Sequence, residues 1–204
     1  MNDTFLNSTY NLSTPEATEA HYQNWAATYE KEVGEHGYAT PGRVAAALWS
    51  FAPRPQTPIL DYGCGTGLSG LALRAVGFEV IDGMDPTENM LQEAASKGVY
   101  RTLTGFDIAK PAPLKRGEYT MITAIGVIGK GAAPPETLDL LMHALPKGGL
   151  LGFSLNDHAL ADYKFTCRLT DWVDMGAARL LFREHGPHLP GINLNSDVYV
   201  LEKA

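Results

Sequence analysis

The chain has 204 residues, 45% of them hydrophobic and 19% charged, a composition that allows one sizeable core and excludes wholesale disorder. Its 16 Lys and Arg against 23 Asp and Glu leave a net charge of −7, so no concentrated basic face is expected and bulk nucleic acid is excluded as a partner. The longest apolar run, Met121 to Gly129, falls far short of the roughly 20 residues of a membrane span, so no membrane partner is expected either. Cys64 and Cys167 make neither a disulfide framework nor a metal pair, and Met1-Asn2-Asp3-Thr4 lacks the basic flank of a secretory leader. The expectation is a cytoplasmic enzyme or binding module, monomeric or homodimeric.

Residues 1–17 are rich in Asn, Ser and Thr without a period and read as a loose tail. Residues 18–204 then read as a single domain, with 18–57 supplying covering helices and 58–204 a sheet core. Tyr22, Trp25, Ala26, Tyr29 and Val33 share one helical face. A second helix starts at Thr40-Pro41, with Thr40 as its N-cap, and carries Val44, Ala47, Leu48 and Phe51 as its stripe. From Pro58 onward strands and helices alternate. Ile59 to Tyr62 is a short buried strand, Gly63 to Gly67 a tight loop, and Leu68, Leu71, Ala72, Ala75 and Val76 mark a helix closed by Gly77. Phe78 to Asp85 is the second strand, Thr87 to Lys97 a helix, Val99 to Leu103 the third strand and Tyr119 to Ile125 the fourth. Leu138, Leu141, Met142 and Leu145 mark another helix, Gly149 to Leu155 the fifth strand, and Leu160 to Met175 a long helix. Ala178 to His185 and Asp197 to Glu202 close the chain as strands joined by a loop through Gly186, Pro187, Pro190 and Gly191. Helical crossovers impose parallel pairing, and the last two strands are antiparallel. The fold class is therefore α/β, a doubly wound, mostly parallel sheet of about seven strands with a terminal hairpin.

Ligands of such sheets bind at the carboxyl ends of the strands, and the loop after the first strand is the leading candidate. Its glycines let backbone approach a ligand closely, and the following helix offers free N–H groups. Read alone, the loop is ambiguous. Gly65-Thr66-Gly67-Leu68-Ser69-Gly70 satisfies the dinucleotide pattern G-x-G-x-x-G, with Asp85 about 20 residues further on. From Asp61 it is Asp-Tyr-Gly-Cys-Gly-Thr-Gly, which resembles the first motif of class I S-adenosylmethionine-dependent methyltransferases. Val80 to Leu91 is similar to that class's pattern V-x-G-x-D-x-S-x-x-M-L, and Leu145-Pro146-Lys147-Gly148-Gly149 to its turn before strand five. Thr120 departs from the class by replacing an acid in strand four. Tyr22-x-x-Trp25-Ala26-x-x-Tyr29-Glu30 resembles a segment of small-molecule methyltransferases, including the Williams–Beuren-region methyltransferase-like group, although Lys130-Gly131-Ala132 stands where that group carries Gly-His.

The resemblance implies a Rossmann-like methyltransferase fold with S-adenosylmethionine as cofactor and no metal. It implies a cofactor site of Tyr22, Tyr29, Asp61, Gly63, Cys64, Gly65, Thr66, Gly67, Leu68, Asp85, Pro86, Met90, Asp107, Ile108, Ala124 and Ile125. In it Asp61 lies near the methionine end, Asp85 accepts from both ribose hydroxyls, and Asp107 and the Ile108 N–H meet the adenine. A carboxylate suits the ribose because it is acceptor-only. Asp82, the competing acid on the strand, reads as solvated. Trp25 reads as core, and Arg179 and Arg183 as a solvated face. His185 and His188, flanking Gly186-Pro187, lack a third metal ligand nearby. The acceptor is expected to be a small molecule held between Tyr22 to Tyr38, Ala124 to Gly131 and Asn156 to Lys164, with the first segment as a lid. His36, Tyr38, Asn156 and Tyr163 are its candidate contacts. His158 is the candidate proton acceptor, with a plain end-of-strand role as the alternative. Two other functions stay open: an NAD(P)-dependent oxidoreductase, and a non-catalytic S-adenosylmethionine-binding module.

Overall fold

The computed structural model of the chain describes residues 5–10, 12, 14–52, 54–110 and 113–204. Seven strands form one sheet: β1 (Ile59–Tyr62), β2 (Ile81–Asp85), β3 (Thr102–Gly105), β4 (Met121–Ala124), β5 (Leu150–Asn156), β6 (Ala178–Leu189) and β7 (Leu194–Lys203). Their order is β3-β2-β1-β4-β5-β7-β6; the first five run parallel, and β7 pairs antiparallel with both β5 and β6. This is the doubly wound sheet with a closing hairpin that the alternation of elements predicts. The switch point lies between β1 and β4, where the chain reverses its direction of travel across the sheet.

Side-chain alternation sorts the strands into two cores. Leu60, Ile122, Leu151 and Leu201 face the helices α6 (Glu136–Ala144) and α8 (Tyr163–Asp174). Their neighbours Ile59, Met121, Leu150 and Val200 face α3 (Thr40–Trp49) and α4 (Leu68–Val76). A third cluster joins Leu6, Trp25 and Val33 to Leu189 and Leu194 at the sheet's carboxyl edge. Among the described residues no helix is long and apolar enough to cross a membrane.

Several local expectations are corrected. The segment read as a loose tail contains α1 (Phe5–Thr9), with Leu6 buried, and the start of α2 (Pro15–Glu35), capped by the Thr14 side chain. Residues 1–4, 11 and 13 of that segment lie outside the described residues. Thr40 is not an N-cap; its hydroxyl is spent on His188 and Ser196, and Ala39 precedes the helix without a side-chain cap. Phe78 lies before β2 and fills the core under Trp49. The long helix after β5 is split into α7 (Asp157–Leu160) and α8, with Asp162 capping the second. The closing hairpin runs straight through Gly186-Pro187, which β6 tolerates because it is an edge strand and shifts register there.

Asp82, expected in solvent, is buried. Arg101 pairs with it, Thr102 Oγ1 donates at 2.6 Å and Tyr119 OH at 2.9 Å. Burial alone would raise its carboxyl, but these hydrogen bonds and the Arg101 charge outweigh that and hold it below the usual carboxylate range. Arg179 and Arg183 do lie on an exposed face, yet each is paired, with Glu202 and Asp197.

Candidate active site

The carboxyl ends of β1, β2 and β4 open onto a cavity of about 900 Å³, at the large end of the range for small-molecule sites. Its floor is the loop after β1. Gly63, Gly65 and Gly67 all have positive φ, from 53° to 96°. The Gly63 and Cys64 N–H groups both donate to the Met84 carbonyl, at 2.7 and 3.0 Å, which folds the loop back over β2. A Cβ on Gly63 would come within 2.4 Å of Val127, so the absent side chain there admits the loop after β4. At Gly65 a Cβ would meet nothing within 4 Å, leaving bare backbone facing the cavity.

Asp61 does not line this cavity. It is fully buried beneath the loop, accepting from Ser69 Oγ at 2.6 Å, Tyr100 OH at 2.7 Å and Thr123 Oγ1 at 3.1 Å. Tyr100 OH in turn accepts from the Gly70 N–H. The carboxylate thus fastens the first turn of α4, in place of the expected position beside the methionine end. Burial, partly offset by its three donors, pushes its carboxyl up to about 6.

Asp85 does face the cavity. One carboxylate oxygen accepts from the Gly65 N–H and the other from the Thr87 N–H, both at 2.9 Å. The Thr87 side chain also hydrogen-bonds the carboxylate, which with about four lone-pair sites can still take a further hydroxyl donor. Burial dominates here too and pushes the carboxyl up to about 6. A ligand that donates hydroxyls to the carboxylate must therefore displace its proton at low pH. Cofactor affinity is expected to fall as pH drops from 7 through 6, to about one tenth at pH 5. The α-carboxyl of the cofactor titrates below that window and its α-amino group, at about 8, above it. Calorimetric titration at pH 5 to 7 checks this; a flat profile would show that Asp85 does not receive the ribose.

Pro86, Met90, Leu68, Ile108 and Ile125 line the cavity as expected, together with Cys64 and Thr66. The Cys64 thiol is pushed up by burial, which makes it a packing residue and a poor nucleophile. Gly67 lies behind the loop at the N-cap of α4, packed against Ala94, and Ala124 is wholly within the core. Asp107 is a correction. Its carboxylate is engaged by Lys110 Nζ at 2.7 Å and by the Ala109 N–H, and it does not line the cavity. Phe106, not foreseen, lines the cavity instead and stacks on Tyr62 with ring centroids 5.5 Å apart. Phe106, Ile108 and Met90 together give this side of the cavity an apolar wall.

The covering segment is in place. Thr14, Thr18, Tyr22 and Tyr29 bring α2 onto the cavity, and Tyr38 joins them. Burial pushes all three phenols up, Tyr29 to about 12, so they stay protonated, and Tyr29 and Tyr38 are hydrogen-bonded to each other. The other acceptor candidates fall elsewhere. His36 packs on Gly191 and accepts its N–H through the backbone; Tyr163 is 79% exposed; Asn156 caps α7 and lines a smaller chamber. His158 is exposed, with its ring 4.1 Å from that of Tyr10, and does not line the cavity; the end-of-strand alternative describes it. Neither Phe106 nor Tyr10 carries a spacing signal that could have found it.

S-adenosylmethionine fits these residues on the strength of Thr66, whose hydroxyl is buried at the cavity with no partner among the described residues, and of the open Gly65 cradle. The fold is shared with the cyclase SpnF over 94% of this chain and 97% of that one, with a TM-score of 0.70 and 12% identity. It is also shared with magnesium protoporphyrin IX methyltransferase from Synechocystis PCC 6803 with bound S-adenosylmethionine, over 98% and 90% of the chains (TM-score 0.60, 15% identity). In sequence, Methyltransferase-like protein 27 of Homo sapiens is 32% identical over 133 residues, which are 64% of this chain. The matched stretch spans 54% of that relative's length. A family model described as a methyltransferase domain matches residues 34–196. Fold and family match together define a class I methyltransferase, the class that takes S-adenosylmethionine as cofactor. The chain belongs to the methyltransferase-domain family.

Proposed function

We propose that the chain transfers the methyl group of S-adenosylmethionine to a small-molecule acceptor. The observation that carries this is the roof of the cavity: α2 covers it from one side, through Thr18 and Tyr22, and residues 129–135 from the other. A pocket lined on both sides in this way suits a compact acceptor better than a polymer. When bound, the cofactor supplies a methyl on a positively charged sulfur, already activated for in-line displacement. The protein's share of the work is then positioning and exclusion of water. Asp85 and the Gly65 backbone fix one end of the cofactor, while the aromatic faces of Tyr22, Tyr29 and Tyr38 shed water over the other. The net charge of −7 supports an acceptor other than nucleic acid.

Titration with S-adenosylmethionine and, separately, NAD tests the cofactor half of this reading. Incubation with a methyl-labelled cofactor and a pool of small metabolites tests the other half. Saturable binding of S-adenosylmethionine, none of NAD, and label recovered in a low-mass product are expected. Label appearing only in protein or RNA would overturn the acceptor class. NAD binding in preference to S-adenosylmethionine would favour the oxidoreductase.

A further inference from the structure

Behind the cavity lies a second chamber of about 60 Å³, room for about two waters or one carboxylate group. Tyr22, Tyr29, Tyr38 and Gly126 line both spaces, so the phenols stand between them. The chamber holds an unanswered donor: Trp25 is only 2% exposed, lines the chamber, and its indole N–H is buried with no partner among the described residues. Folded proteins rarely leave such a donor unmet unless a ligand or water answers it.

Three other polar side chains of the chamber are already accepting hydrogen bonds and keep donors to offer. Ser154 Oγ accepts from the Gly126 N–H at 3.0 Å, leaving its hydrogen free to donate. Asn156 Oδ1 accepts from the Ala159 N–H at 3.1 Å, leaving the amide NH2. His188, 7% exposed, is fixed by a relay. Arg43 Nη1 lies 3.1 Å from Ser196 Oγ, which is 3.0 Å from Thr40 Oγ1, which is 2.8 Å from His188 Nδ1. Arginine can only donate. Ser196 therefore passes its hydrogen to Thr40 and Thr40 to the imidazole, since the reverse order leaves the Ser196 hydrogen without an acceptor in the relay. Burial pushes the imidazole down to about 4, so the neutral ring carries its proton on Nε2. Among the described residues no carboxylate lines the chamber.

Resting on the methyl-transfer reading above, we propose that this chamber anchors the acceptor and that the acceptor bears a carboxylate. The unanswered Trp25 N–H, the His188 Nε2–H, the Asn156 amide and the Ser154 hydroxyl can all donate, and with no acidic group beside them they favour an oxygen anion over a neutral amide or an ammonium. The volume admits the carboxylate alone, so the rest of the acceptor stays in the main cavity on the other side of the phenols.

The test uses the full ¹⁵N-labelled chain, with and without S-adenosylhomocysteine, and follows the indole N–H resonances of its 3 tryptophans. Trp49→Phe and Trp172→Phe assign two of them, so the assignment does not depend on a Trp25 variant folding. Trp172 already donates to Asp139 and serves as an internal control. Benzoate is expected to move the Trp25 signal downfield in a saturable manner, leaving the other two in place. Benzamide should bind at least tenfold more weakly, and benzylamine should give no shift. His188→Phe should weaken benzoate at least tenfold while leaving S-adenosylhomocysteine affinity unchanged. An unmoved Trp25 signal, or a preference for benzylamine, overturns the proposal. So does a Trp25 shift on adding S-adenosylhomocysteine that also removes the benzoate response, because the chamber would then hold the cofactor's own carboxylate. Failure to bind S-adenosylhomocysteine at all is a different result, and it sinks the methyl-transfer reading instead.

Discussion

Asp85→Ala is expected to weaken S-adenosylmethionine binding by about 2–4 kcal/mol, roughly 30- to 1,000-fold, whereas Asp82→Ala leaves it within about twofold. The two carboxylates are three residues apart on β2, yet their surroundings differ in kind. Asp85 meets backbone N–H groups and an open cavity, so a ligand's hydroxyls complete its coordination and their loss is felt in affinity. Asp82 meets Arg101, Thr102 and Tyr119 from β3 and the approach to β4, so its loss is felt in folding. The Asp82→Ala variant should melt at a lower temperature and bind normally at a temperature where it is folded. The Asp85→Ala variant should melt no lower than the parent without cofactor, since it sheds a buried carboxyl held up at about 6. Folded-state stabilisation from such a raised group is fully present below its unfolded value and is lost as pH rises through about 6, so its removal relieves a cost at neutral pH. Calorimetry and thermal melts on both variants check this. Equal losses of affinity would mean that the cofactor register is wrong.

Deleting residues 1–39 should leave a folded sheet and abolish methyl transfer, with cofactor affinity reduced at least about tenfold. The two cores on the faces of the sheet contain no residue from this segment; only the third cluster does. What the deletion removes is the roof. Tyr22, Tyr29 and Tyr38 leave the cavity, and so does the brace from Gln23, whose side chain and backbone carbonyl accept from Asn89 at the start of the helix after β2. The pair between Glu30 and Lys97 on that helix's far end is lost with it. Circular dichroism should keep the strand signal while labelled-methyl turnover vanishes. A truncated chain that binds and turns over normally would make the segment packing only. Loss of the strand signal would show that Leu189 and Leu194, uncovered by the deletion, matter more to the sheet than the two cores suggest.

The sheet was legible because its strands are short apolar runs punctuated by glycine and proline, and the site because glycines and an acid at strand ends have few other uses. Placement of the remaining acids was not legible. Asp61, Asp82 and Asp107 differ in which partner reaches them: Tyr100 and Arg101 have no periodic relation to the first two in the chain, and only Lys110, at i+3 from Asp107, stands at a spacing the sequence shows. Composition misled over residues 5–9, where Phe5 and Leu6 suffice to dock one turn of helix on Trp25 and His21. Pro187 suggested a loop because a proline ends a central strand, and only the position of β6 at the edge removes that objection.

The position of β7 has a consequence for the order in which a growing chain can become active. It is the last strand in sequence, yet it lies between β5 and β6, and β6 has no other partner. Until β7 emerges, β5 and β6 both present bare strand edges, the condition in which chains pair with the wrong neighbour. The same strand carries Ser196, the middle link of the relay that sets the His188 proton, and Asp197, which gathers Arg183, His185 and Tyr199. The glycine loop and Asp85 are synthesised early and can find their places against β1 and β2. The inner chamber cannot, because its hydrogen-bond direction is fixed from the final strand. A nascent chain would thus complete the glycine loop well before the chamber behind it.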